Sequence, residues 1–262
     1  MSVFEADVPR SFRVYVNEEL EKEWMGDEIE RSWGKTHLGQ YFCFITSKVI
    51  WYGVRLIIDE EYRNLEIKRE RGVHRVGHGV VIKKDFLTRE GATDFVLQNT
   101  TKYGNGEFND YFFRARAVPN DVHENPDMYL KPGDHVQRDL DMLFFSHDGI
   151  YLGNGKVAHI SGGSSNSASN SSSSSCTCMI NINDAQEACA RIVTLKEFVL
   201  SDKQEVRIVV HCFRRKSRTE ICEKARELVA ERYGYGNYNI LSKNCQHFAT
   251  LCALGEECLT DF

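Results

Sequence analysis

Between residues 146 and 159 the chain reads Ser-His-Asp-Gly-Ile-Tyr-Leu-Gly-Asn-Gly-Lys-Val-Ala-His. The Asn-Gly pair at 154 and 155 suits a tight two-residue turn, because both residues tolerate the positive φ that such a turn demands. The segment therefore predicts two antiparallel strands joined by a hairpin. Its register decides which side chains meet. An ideal two-residue turn pairs His159 with Ile150, and alternation then leaves His147 on the opposite face of the hairpin from His159. For the two histidines to act together, a bulge or an odd-length turn has to restore a shared face.

Further along, Ser242-Lys243-Asn244-Cys245-Gln246-His247-Phe248 opens a helical stretch. Asn244 is its N-cap, Phe248, Leu251, Cys252 and Leu254 are its apolar positions, and Gly255 stops it. A thiol in the first turn of a helix lies where unpaired backbone N–H groups and the macrodipole favour the thiolate. The same N–H groups can hold the oxyanion of a tetrahedral intermediate. Such a thiol needs a base to draw its proton and return it to the leaving group, and His147 is the candidate. His159 is then the group that holds the other ring nitrogen, as a neutral acceptor or through its own N–H. Cys245, His147 and His159 together describe a Cys-His-His acyl-transfer site. A second helix is announced by the capping box Ser217-Arg218-Thr219-Glu220, with Ile221, Ala225, Leu228 and Val229 at helical spacing and Gly234 as its stop.

The bulk of the chain excludes several classes. Its 262 residues, 42% apolar and 27% charged, describe a soluble globular protein of one large domain or two small ones. The net charge of −5 comes with lysines and arginines dispersed among acidic residues, so no nucleic-acid surface is expected. The cluster Arg214-Arg215-Lys216 with Arg218 reads as a solvated loop before a helix, with contact to anionic lipid as the alternative. Residues 1–10 carry acidic residues and a proline where a signal peptide needs basic and then apolar ones. The apolar stretch 41–58 is broken by Ser47, Lys48 and Arg55, well short of a membrane span. Nine cysteines, an odd number without a signal, predict reduced thiols in a cytoplasmic protein that is soluble or peripheral to a membrane. No cofactor and no metal are expected: Cys176-Thr177-Cys178 and Cys245-Gln246-His247 have one residue between their possible ligands, and His37, His74 and His78 read as loop or strand-end residues.

The expected organisation is a small β-rich region of unknown role over residues 1–125, then a second domain over 126–262. In the first region strands are predicted at 39–45, 49–58, 76–82, 94–97 and 111–118, separated by turn signals at Gly72, Gly91 and Gly104-Asn105-Gly106. Residues 18–30 read as a short helix or a charged loop. Residues 120–132, with Pro119, Pro126 and Pro132 about them, read as a linker or exposed crossing. The serine-rich tract 161–175 predicts a disordered insertion, and residues 190–199 and 205–211 predict further strands, or a strand and a short helix. The fold class is α+β.

Four features in this order, Pro132-Gly133-Asp134, the block from His147 to His159, the capped helix to Tyr233, and Asn244-Cys245-Gln246-His247-Phe248, resemble the lecithin:retinol acyltransferase-like family. The likeness runs from about residue 131 to residue 255. That family is a branch of the circularly permuted relatives of NlpC-type cell-wall peptidases. The resemblance implies a permuted papain-like core, an antiparallel sheet packed on helices, preceded here by the β-rich region. It also implies that Cys245 attacks an ester of a glycerophospholipid, giving an acyl-thioester that water, an amine or an alcohol resolves. His147 matches the family's base and His159 its orienting histidine. The implied partners are a phospholipid substrate and a peripheral membrane surface, with a protein partner open for the N-terminal region. Two positions depart from the family: Asp148 stands where members commonly carry an aromatic residue, and Gln246 where they carry a glutamate. A carboxylate beside His147 is expected to raise its pKa or compete for its hydrogen bond. Many members also end in a transmembrane helix, and no such segment precedes Phe262. Two other readings stay open: a catalytically silent scaffold that binds a partner or a membrane surface, and a cysteine peptidase or amidase using the same groups on an amide.

Overall fold

A computed structural model describes residues 1–22, 26–71, 79–108, 112–139, 146–161, 187–199, 201, 204–239 and 243–260. The chain forms two compact units, one from Met1–Asn64, Glu70–Arg114 and His211–Arg215, the other from Leu65–Arg69, Ala115–Val210 and Lys216–Phe262. In chain order the first elements are α1 (Arg10–Lys22), β1 (Asp27–Lys35), β2 (Tyr41–Lys48), β3 (Tyr52–Ile58), β4 (Ile67–Arg71), β5 (Val80–Phe86) and α2 (Arg89–Asn105).

In the first unit the strands form an antiparallel sheet of order β1-β2-β3-β5. Alternation along β2 and β3 sends Cys43, Ile45 and Ile57 to one cluster, with Phe12 and Val16 of α1 and with Trp33. It sends Phe42, Phe44, Val54 and Leu56 to another, with Ala92, Val96 and Tyr103 of α2. A strand buried on both faces reads as a continuous apolar run, which is why β2 shows no polar alternation.

Here the β-rich expectation holds for the sheet and fails for one predicted strand. Residues 94–97 lie within α2, a 17-residue helix. Thr88 caps its start by accepting from the Gly91 N–H, and Gly106 ends it in the left-handed conformation at φ +80°. Gly91 and Gly104 are thus interior helix residues rather than turns. Neither a single helix nor a loop spans residues 18–30: α1 ends at Lys22 and β1 begins at Asp27. His74, His78, the start of the strand expected at 76–82, Cys176, Cys178 and nearly all of the serine-rich tract lie outside the described residues.

The second unit continues with β6 (Phe113–Ala117), α3 (Pro126–Tyr129), β7 (His135–Asp139), β8 (Ser146–Gly153), β9 (Lys156–Ser161), β10 (Cys189–Thr194), α4 (Leu195–Val199), β11 (Val206–His211), α5 (Arg218–Ala230) and α6 (Cys245–Leu254). Its sheet has the order β10-β9-β8-β7-β11-β6-β4, and the pairs from β10 through β11 are antiparallel. The proline-bracketed stretch holds a short 3-10 turn and α3, anchored by buried Val122 and Leu130.

One sheet face presents Ile150, Leu152, Ala158, Ile160 and Ala190, which pack with Ile221, Cys222, Ala225 and Leu228 of α5 and with Phe248, Ala249 and Cys252 of α6. The larger of these side chains, such as Ile150, Ile160, Leu228 and Phe248, each contribute roughly 1.5–3 kcal/mol when fully buried. The α5 cap is the reciprocal box of Ser217 and Glu220. Asn244 caps α6, and Gly255 ends it at φ +85°. The molecule is therefore α+β, with antiparallel sheets, helices packed on them and a β-rich N-terminal part. No described helix is long and apolar enough to cross a membrane.

Candidate functional site

The site begins with the hairpin of β8 and β9. Asn154 and Gly155 form its turn at φ +53° and +65°, and Gly153 pairs with Lys156 across it. The next pair is Tyr151 with Val157, so Leu152 is an extra residue on β8. Gly153 takes up the resulting kink at φ +87°. This is the bulge that the spacing required. It moves His159 from opposite Ile150 to opposite Gly149, which puts its side chain on the same face as that of His147.

His147 and His159 meet there. His147 Nε2 lies 2.6 Å from His159 Nδ1, with the rings nearly perpendicular at 82°. Each residue is only 1% exposed. Phe198 of α4 stacks on the His147 ring at 5.3 Å and 26°, and meets the His159 ring edge-on at 5.4 Å. Arg138, directly across from His147 on β7, holds its guanidinium 5.7 Å from the Phe198 ring. Sequence reasoning did not find Arg138 or Phe198. A single basic residue in a strand and a single phenylalanine in a short helix carry no local signal that they converge on a histidine pair.

Burial pushes the pKa of both histidines below the ordinary range, that of His147 well below it. The neighbouring His159 and Arg138 add to the effect on His147, and Arg138 and Arg191 add to it on His159. Both rings are neutral at pH 7, so one N–H lies between them, and the tautomer of one fixes that of the other. His159 Nε2 is buried and has no hydrogen-bond partner among the described residues.

Asp148 does not act on His147 as expected. Neighbouring residues of a strand point to opposite faces, and the Asp148 carboxylate, fully buried, accepts from His135 Nε2 at 2.8 Å, Ser146 Oγ at 2.9 Å, Thr260 Oγ1 at 3.0 Å and Gln137 Nε2 at 3.2 Å. Burial pushes this carboxyl up, but the hydrogen bonds from His135, Ser146 and Thr260 outweigh it and hold the group below the usual carboxylate range. The His147 pKa goes down, and the charged side chain that contributes to its fall is Arg138.

Cys245 is the first residue of α6 and is 5% exposed. Its Sγ lies 3.9 Å from the carbonyl oxygen of Ser146, beside the backbone that leads into His147. Asn244 Oδ1 accepts from the Gln246 N–H at 2.9 Å and the His247 N–H at 3.2 Å. Two of the amides expected to serve an oxyanion are therefore engaged by the cap.

The structure thus brings His147 and His159 together on one face of the antiparallel sheet, while Cys245 packs with Ile150 and Ala158 on the other and is tied to the histidine strand through the Ser146 carbonyl. Residues 128–258, half of the 262-residue chain, match the family described as lecithin retinol acyltransferase. The chain belongs to that family, whose fold is of the thiol acyltransferase type. Among individual proteins it is similar to Egg-laying defective protein 26 of Caenorhabditis elegans, with 26% identity over 269 residues that cover 93% of this chain and 78% of that protein. Such coverage reaches well beyond residues 128–258 into the N-terminal part.

Proposed function

We propose that the protein is a thiol-dependent acyltransferase or phospholipase that takes an acyl group from a glycerophospholipid onto Cys245. The observation that carries this reading is the bulged hairpin, which spends an irregular residue and brings His147 and His159 into one hydrogen bond. Family membership supports acyl transfer in general, and the lipid ester is our assignment of the substrate.

In this mechanism the Cys245 thiol, which must first be brought within reach of the His147 ring, gives its proton to His147 as Sγ attacks the ester carbonyl carbon. The C–S bond forms and the carbonyl π pair moves onto oxygen. Collapse of the tetrahedral intermediate breaks the C–O bond, and the imidazolium returns the proton to the departing alkoxide, leaving a lysophospholipid and an acyl-thioester. Water, an amine or an alcohol then loses its proton to His147, attacks the thioester and frees the thiol. For His147 Nδ1 to accept a proton, its Nε2–H must donate to His159 Nδ1, so His159 holds the productive tautomer. The Gln246 and His247 N–H groups are taken by the Asn244 side chain, so the oxyanion needs a donor other than these two.

Burial, the neighbouring His159 and Arg138 disfavour a standing imidazolium, so His147 rests as the neutral imidazole and proton transfer is coupled to attack. The test is intact-protein mass spectrometry after incubation with phosphatidylcholine vesicles, for the native chain and Cys245→Ala. The expected result is an acyl adduct on the native chain alone, released by hydroxylamine. Absence of both adduct and lysophospholipid would overturn the reading in favour of a scaffold.

A further inference from the structure

On the face of β8 that turns away from the histidine pair, hydrogen bonds close into a ring. Ser146 Oγ donates to Asp148 Oδ1 at 2.9 Å, and Gln246 Nε2 donates to Ser146 Oγ at 3.1 Å. The Thr260 N–H donates to Gln246 Oε1 at 2.9 Å, and Thr260 Oγ1 donates to Asp148 Oδ2 at 3.0 Å. His135 and Gln137 aim two further donors at the same carboxylate, and Gln137 Nε2 also donates to Ser146 Oγ at 2.9 Å. Every member of the ring is buried.

The direction of each bond is dictated. A carboxylate held in its ionised form only accepts. Both hydroxyls must therefore donate to Asp148, which leaves Ser146 Oγ as an acceptor and orients the Gln246 amide with its nitrogen toward Ser146 and its oxygen toward Thr260. The ring joins three places in the chain. Ser146 and Asp148 flank His147, Gln246 follows Cys245, and Thr260 lies beyond the end of α6.

We propose that Asp148, Gln246 and Thr260 are positioning residues that lock the first turn of α6 to the first residues of β8, and so fix the Cys245 thiol relative to His147. The inference rests on the reading of Cys245 as the nucleophile. A satisfied buried network of this kind specifies one arrangement, whereas a half-satisfied one specifies several. With the ring intact, Sγ is held at the Ser146 carbonyl. With one link open, the Gln246 side chain can turn and the helix end can shift by fractions of an ångström, enough to spoil a proton transfer.

The test reads the thiol itself. Peptide-resolved alkylation of Cys245 by iodoacetamide is followed from pH 5 to pH 9 in the full chain, with buried Cys222 and Cys252 of the same unit as internal controls. Thr260→Val opens the ring at one hydroxyl while keeping shape, and Thr260→Ser restores that donor. Asp148→Asn sets an amide N–H₂ against converging donors and is the more severe change. If it does not fold, Thr260→Val and Gln246→Ala carry the test. The expected result is a change of about fivefold or more in the Cys245 rate, the factor equivalent to one hydrogen bond of typical net strength. It should come with a displaced pH midpoint, unchanged control cysteines and recovery in Thr260→Ser.

A native Cys245 profile in Thr260→Val and Gln246→Ala would overturn the proposal. So would a parallel rise at Cys222 and Cys252, which would mean general loosening. Acyl-adduct formation on lipid vesicles is measured separately on the native chain. No adduct there, with Cys245 still sensitive to Thr260→Val, would sink the lipid reading and leave the positioning role standing. An adduct on the native chain with an insensitive Cys245 would do the reverse.

Discussion

In the proposed mechanism the chemistry turns on His147, and its surroundings make two outcomes measurable. Because burial, His159 and Arg138 all depress its pKa, the base form should persist in mildly acidic solution. The rate of Cys245 acylation should therefore hold as pH falls through about 6.5, the ordinary histidine value, and decline only below it. A limb at or above that value would show that the ring is not buried as described. His147→Ala should lower the acylation rate by about 10²- to 10⁴-fold, the usual range for a positioned general base, with Cys245 still present and the fold retained. At this scale the sequence was informative about Cys245, His147 and His159 as candidates, since an N-cap, a glycine stop and an Asn-Gly turn are local signals. Arg138, Phe198 and Thr260 were not legible. They come from a neighbouring strand, a short helix and the segment after α6, and only tertiary packing gathers them. The effect expected of Asp148 on His147 was misjudged because adjacency in a strand means opposite faces, and the carboxylate found its donors there.

Among the elements, the bulge and the α6 cap are where single changes should be felt. Gly153 sits at φ +87°, where a Cβ is costly, so Gly153→Ala should destabilise the hairpin by about 1–2 kcal/mol. Hydrogen exchange of the β8 and β9 amides would register that loss. Asn244→Ala removes the acceptor for the Gln246 and His247 N–H groups and should cost about 0.5–2 kcal/mol. Urea unfolding by circular dichroism would measure it. The two capped helices, α5 and α6, were readable because their signals are punctuation at their ends. α2 was not: it contains Gly, Asn and three threonines, intrinsically poor helix formers, and its stability comes from Ala92, Val96 and Tyr103 packing in an aromatic cluster. The residues read as strand and turn signals belong to a helix maintained by its neighbours.

For the molecule as a whole, the buried neutral histidines link stability to pH. Where the folded pKa lies below the unfolded value of about 6.5, the unfolded chain binds more protons between the two, so stability rises with pH across that window. The contribution is fully present above about pH 6.5 and is lost as pH falls toward the folded values, at up to about 1.4 kcal/mol per pH unit for each histidine. Asp148, also held low, adds a loss of the same sign further down, below the ordinary carboxylate range. Amide exchange in β8 and β9, corrected for intrinsic rates, should therefore show weaker protection at pH 5 than at pH 7. His147→Ala should flatten that dependence.

The composition of the two units has a consequence for biosynthesis. His211–Arg215 belongs to the first unit, although most of that unit is encoded before residue 115, and Leu65–Arg69 belongs to the second. A ribosome delivers the chain from its N-terminus, so the first unit cannot be completed until more than two hundred residues have emerged. Buried Cys212 and Phe213, which join the cluster of Phe42, Phe44 and Tyr103, are the last parts to arrive. Until then the nascent chain carries an unfinished apolar surface.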